Sequence, residues 1–220
     1  MNEKEIHVFQ ELHLESSLDP MELRKALLRA VEAPWAHAKE QEKLLSRSMP
    51  IRGDVIVFSR KKTDGLEACL LSLVLDGRGF KVANIVPREA RELGIDKYNR
   101  LLVDFAQRVV MRAAMQSPIH VVPSEPSLSL SDLVGKQAVR ALEAFLSGAN
   151  KATGSSHPSD RKRWFEFLVA VHREGMRPDG EAFERWLLEV ENWPSDTAEQ
   201  LVGELQFGLA LLAYQDHSSL

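Results

Sequence analysis

The stretch from Ala149 to Trp164 gathers the side chains best suited to chemistry. Its hydroxyl, imidazole and cationic groups belong to Lys151, Thr153, Ser155, Ser156, His157, Arg161 and Arg163. Hydroxyls and free backbone amides can bind an anion while Lys and Arg supply charge, and a histidine can act as general acid or base. One hypothesis is therefore an enzyme of phosphate or nucleotide chemistry, with Ser156 and His157 catalytic and the other five residues binding the anion.

A structural role for the same stretch is the favoured interpretation. Asn and Ser side chains in such loops bond the local backbone and connect helices, and Ser159 or Asp160 is suited to cap the following helix. Ser156 and His157 are sequence neighbours, whereas a nucleophile usually meets its base through the fold. The Gly-Ser-Ser triplet also lacks the spacing of a phosphate-binding P-loop.

Metal and nuclease chemistry find little support in the sequence. His7 and His13 are six residues apart on a predicted strand, about 20 Å, which is too far to share one metal. No zinc-type spacing of His and Cys occurs. The patterns of helical ribonucleases and of restriction-type nucleases are not matched either. We therefore predict no metal site and no cofactor, and lone Cys69 is expected to be a reduced, buried thiol.

The composition is that of an ordinary globular protein. The chain has 220 residues, of which 44% are hydrophobic and 27% charged. No run approaches the ~18 apolar residues of a membrane helix, and the N-terminal residues lack the apolar stretch of a signal peptide. These features predict a cytoplasmic protein that does not associate with membranes.

Apolar periodicity predicts an α+β fold in two parts. In residues 1–125 the predicted order is β-α-β-β-β-α, an antiparallel sheet with flanking helices. The elements are a strand over 6–15, a helix capped by Asp19, strands over 54–59, 68–75 and 80–86, a helix from Asp96, and a short strand over 119–122. A Pro- and Ser-rich segment follows, and residues 126–220 are predicted to form a helical bundle whose core includes the tryptophans.

Charge is concentrated near the C-terminus. Residues 179–216 hold nine acids and a single base, Arg185. Such a surface repels phosphate backbones, which argues against DNA binding by the last two helices. The leading hypothesis is a bacterial protein-binding module, an antitoxin, immunity or phage-defence accessory protein that neutralises or scaffolds a basic protein. The partner-binding residues would be Glu181, Glu184, Glu189 and Glu191.

Two other interpretations of the surface remain open. The acids can serve only to keep the protein dispersed in water. A structural subunit of a larger assembly would instead expose an apolar patch on the sheet face that bears His7 and Phe9.

Overall fold

A computed structural model describes residues 4–48, 54–63, 65–89 and 92–218. It confirms the α+β prediction, with an antiparallel sheet, several helices and a long C-terminal helix. The chain separates into two compact units. The α+β unit runs from Phe9 to Pro126, and the helical unit combines the N-terminal residues through Val8 with the chain from Ser127 onward.

The α+β unit is built on one antiparallel sheet. Within the described residues its strands are β2 (Leu12–Ser16), β3 (Trp35–His37), β4 (Val55–Arg60), β5 (Cys69–Asp76), β6 (Gly79–Pro87) and β7 (Ile119–Pro123). Their order across the sheet is β3-β4-β5-β6-β2-β7. Alternation decides which face is buried, and in β5 Cys69, Leu71 and Leu73 all point into the core.

Helices cover the buried face of this sheet. They are α1 (Pro20–Ala30), α3 (Ile95–Phe105), a π-helical segment (Ala106–Val110) and α4 (Met111–Ala114), while α2 (Lys39–Ser48) packs on β4. Asp19 caps α1 as predicted, because its carboxylate accepts hydrogen bonds from the amides of Met21 and Glu22. Leu23 and Leu27 then face the core on one side of the helix.

The single strand predicted over residues 6–15 is wrong. The structure has two strands there, β1 (Glu5–His7) and β2, so His7 and His13 do not share a strand. The interruption has a clear cause in hydrogen bonding. The amide of Gln10 donates to Oδ1 of Asn99 at 2.9 Å and that of Glu11 to Oγ of Ser124 at 2.8 Å, instead of to a neighbouring strand.

The helical unit carries the long C-terminal helix. Its elements are β1, β8 (Ser127–Ser129), α5 (Leu130–Val134), α6 (Lys136–Leu146), α7 (Pro158–Arg173), α8 (Gly180–Glu189) and α9 (Ser195–Ser218). Strands β1 and β8 pair antiparallel and contribute Ile6 to the core. As expected, Trp164, Trp186 and Trp193 are buried in this core. Among the described residues, none of the helices combines the length and apolar character needed to cross a membrane.

Candidate interaction site on the helical unit

The loop before α7 is tied together by its own side chains. Ser156 Oγ donates to the carbonyl of Thr153. Nδ1 of His157 accepts from the amide of Ser159 at 3.3 Å and lies 2.6 Å from the Ser159 hydroxyl oxygen. The cap of α7 is thus His157, not Ser159 or Asp160, because Pro158 occupies the first helical position.

Two cations of this stretch, Lys151 and Arg163, also have local partners. Lys151 Nζ donates to the carbonyl of Glu191 and lies 5.9 Å from the centre of the Trp193 ring. The guanidinium of Arg163 donates to Asp160, whose side chain is 6% exposed. The Lys151 contacts connect the loop to the segment that follows α8, whereas the Arg163–Asp160 ion pair lies within α7.

Two of the predicted site residues, Ser155 and Arg161, line the same cleft, which lies between α7 and α9. Ser155 is 2% exposed, and its hydroxyl donates to Oε2 of Glu204 at 2.6 Å. Ser155, Arg161 and Glu204 all line this cleft. Lys151, Thr153, Ser156, His157 and Arg163 are not among the lining residues. The structure therefore brings together only a part of the predicted anion site, whose function stays a prediction.

The cleft itself is mainly apolar. It has a volume of about 460 Å³, and its apolar lining includes Trp164, Phe165, Leu168, Phe207, Leu211 and Leu212. Close packing of its two helices depends on Gly208, since a Cβ atom there would lie 2.6 Å from Cδ1 of Leu168. Ser155, Arg161 and Glu204 are the polar residues of a lining that is otherwise apolar. Such a lining suits an apolar occupant.

Large apolar side chains extend from the cleft to the surface. On α9 the exposed fractions are 72% for Phe207, 56% for Leu211 and 72% for Tyr214, and on α7 Phe165 is 55% exposed. The three α9 residues are four and three positions apart and so lie on one side of the helix. We call these four residues the outward face.

The outward face is a candidate interaction surface that sequence reasoning missed. The buried side of α9 was predicted from Leu201, Leu205, Leu209 and Leu212, and Leu201 and Leu205 are indeed in the core. The spacing of Phe207, Leu211 and Tyr214 was a second signal in the same segment. Apolar residues on two sides of a helix are typical of one that packs against a neighbour on each side.

The four predicted partner-binding acids divide into two pairs. Glu189 bonds Arg185 at 3.0 Å, and Glu191 bonds Lys4 at 3.2 Å. The carboxylates of Glu181 and Glu184 have no ion pair with any residue that the structure describes. Within the described residues these two acids lack the ion pairs of Glu189 and Glu191, and Glu181 is exposed while Glu184 is half-buried.

The described parts of the chain place His13 and Cys69 in surroundings that bear on metal binding and on nucleophilic chemistry. His13 lies 3.1 Å from Glu11 and 3.5 Å from Asp76, yet no group of three or more His, Cys, Asp or Glu is placed to hold a metal there. Cys69 is buried, and burial raises the pKa of its thiol to about 11. A thiol with such a pKa is a poor nucleophile at neutral pH.

No known protein family, curated protein or solved structure matches the chain.

Proposed function

We propose that this chain is a protein-binding module whose contact surface is the outward face. One observation carries the proposal: Phe165, Phe207 and Leu211 are exposed and line one apolar cleft, and Tyr214 continues the exposed side of α9. Isolated exposed apolar residues are normal, but contiguous ones mark interaction surfaces. Covering a Phe or Leu side chain completely contributes about 1.5–3 kcal/mol.

Photo-cross-linking in cells tests this proposal. A photo-reactive phenylalanine analogue at Phe207 is expected to give a discrete cross-linked protein product. The control is the same analogue at Met115, which is 82% exposed in the α+β unit but lies outside the outward face. The proposal is wrong if position 207 gives no product, or gives only the diffuse products of position 115.

A finer form of the proposal adds a basic partner that binds the acids of α8 and not the outward face, as an antitoxin, immunity or phage-defence accessory protein would have. It is supported by the carboxylates of Glu181 and Glu184, which form no ion pair with any described residue. Complementary charge mainly raises the association rate and weakens with salt. For a basic protein captured from cell extract by the wild type, E181K/E184K should slow association at low salt, whereas the control E15K/E125K should not. Equal rates for all three proteins would contradict a role for these two acids.

Phosphate or nucleotide chemistry is the second candidate. It is supported by the presence of Ser155 and Arg161 on one cleft wall. Calorimetric titration with inorganic phosphate and with ADP tests it, comparing the wild type with Arg161→Ala. Binding that disappears in the variant would favour an anion site, and the absence of binding to the wild type would exclude both ligands.

A further inference from the structure

We propose that a second copy of this chain covers Phe207 and Tyr214 of the outward face, bound so that the two α9 helices pack antiparallel. In this arrangement Tyr214 of each copy lies opposite the partner's Gly203, and Phe207 lies opposite the partner's Ala210. The inference rests on the proposed function, because it names the protein that the outward face binds.

The sizes of the side chains along α9 support this pairing. Small and large residues alternate on the exposed side in the order Gly203, Phe207, Ala210 and Tyr214, all of them exposed. Their spacings of four, three and four keep them on one side of the helix. A single antiparallel register places both large residues opposite small ones, as knobs opposite holes. The Tyr214–Gly203 and Phe207–Ala210 pairs therefore require the same register between the two α9 helices.

Gly203 has no evident role within a single copy. A Cβ atom at this position would meet no atom of the described residues within 4 Å, in contrast to Gly208, where it would lie 2.6 Å from Cδ1 of Leu168. Glycine inside an exposed helix costs about 1 kcal/mol relative to alanine. In the proposed dimer the ring of Tyr214 from the second copy packs against Gly203. This contact explains a glycine that has no such contact within one copy.

Charge favours the antiparallel direction over the parallel one. Asp196 and Glu199 are exposed at the start of α9, and His217 is exposed at its end. In the proposed register Glu199 lies beside the partner's His217, and the two Glu199 residues are about 28 Å apart along the helices. That distance exceeds the Debye length of about 8 Å, whereas parallel packing would place like charges side by side. Antiparallel helix dipoles add a favourable contribution.

The apolar part of the interface is free of uncompensated carboxylates. Glu204 accepts hydrogen bonds from Ser155 at 2.6 Å and from Gln200 at 2.9 Å. Asp216 lies 2.8 Å from Nε2 of His172. The acids of α9 that flank Phe207 and Tyr214 are therefore already bonded within one copy, which lowers the cost of covering this surface.

Disulfide cross-linking tests the register directly. The only native cysteine, Cys69, is buried, so an introduced cysteine is the reactive one. Gly203→Cys and Tyr214→Cys, purified separately and mixed under mild oxidation, should form a disulfide-linked heterodimer. Each variant alone should form far less, because like positions are about 16 Å apart along the helices. Equal cross-linking of the single variants and the mixture would overturn the register.

Exchanging the large and the small residue of one contact tests the proposal without cysteines, which can themselves weaken the dimer. Sedimentation equilibrium should show a dimer for the wild type, and dissociation constants at least about tenfold higher for Gly203→Phe and for Tyr214→Ala. The double variant G203F/Y214A restores one large and one small residue at each contact, and it should recover most of the lost affinity. A monomeric wild type, or a double variant as weak as the singles, would overturn the proposal.

The outcomes separate this inference from the proposed function. A monomeric wild type whose position 207 cross-links to a different protein would leave the proposed function intact and overturn the dimer. A monomeric wild type that cosediments with anionic phospholipid vesicles, and loses this in Phe207→Asp, would overturn the dimer in favour of a membrane surface.

Discussion

At the scale of single residues, buried charges in the α+β unit have complete sets of partners. The carboxylate of Asp104 accepts from Nε1 of Trp35 at 2.7 Å, Nε of Arg60 at 2.9 Å and Nε of Arg108 at 2.8 Å. The side chain of Arg60 is fully buried. Burial alone raises the pKa of Asp104, but the hydrogen bonds from its three donors outweigh burial and hold the pKa below its usual value. Asp104 is therefore a structural residue of this unit.

Replacement of Asp104 by Asn should cost about 3–5 kcal/mol, because it leaves the buried Arg60 cation without its counterion. The folded pKa of Asp104 lies below the unfolded value. Its contribution is thus fully present above about pH 4 and is lost as the pH falls through the folded pKa. Urea unfolding at pH 7 and pH 3 should show a smaller difference between wild type and D104N at the lower pH. An equal difference at both pH values would contradict this assignment.

The same scale applies to His157, for which we expect a structural role as the cap of α7. His157→Ala should lower stability by about 0.5–1 kcal/mol, and His157→Asp should match or exceed the wild type, since Asp is a better capping residue. Thermal unfolding measures both changes, with the exposed Lys162→Ala as a control on the same helix. If His157→Asp lost as much stability as His157→Ala, the capping role would be wrong.

At the scale of elements, the sequence predicts those helix and strand features that depend on residues within the element itself. Asp19 and Pro20 begin α1, and the period of Leu23 and Leu27 places its buried side, because cap and period lie within the helix itself. The break between β1 and β2 was not predictable in this way. It depends on Asn99 and Ser124, which lie 89 and 113 residues further along the chain from their bonding partners.

Strand pairing at Gly79 provides an element-scale test. A Cβ atom at Gly79 would lie 1.9 Å from the carbonyl oxygen of Leu14, so β6 and β2 approach closely only with glycine here. Gly79→Ala should destabilise the protein by about 1–3 kcal/mol through overpacking. The control is Gly94→Ser, which offers α3 a capping hydroxyl that Gly94 lacks and should be neutral or slightly stabilising. Urea unfolding of both variants decides the matter, and an unchanged G79A would contradict the close approach.

At the scale of the whole molecule, the fold class could be predicted from the sequence but the candidate site could not. Periodicity identified sheet and bundle because each element must bury one side. The loop at Ala149–Trp164 was singled out for its residue types, yet most of its polar groups bond within the helical unit. The outward face consists of Phe165, Phe207, Leu211 and Tyr214, residue types that usually signal a core. Only the structure shows that one unit leaves them exposed.

The central claim, that another protein chain covers the outward face, is tested most directly by the native mass of the protein in fresh cell extract. Size-exclusion chromatography with antibody detection should place the wild type above the mass of one chain, and Phe207→Asp near it. Gln206→Asp, an exposed neighbour on the same helix, should behave as the wild type. Wild type and Phe207→Asp eluting together at the mass of one chain would contradict the claim.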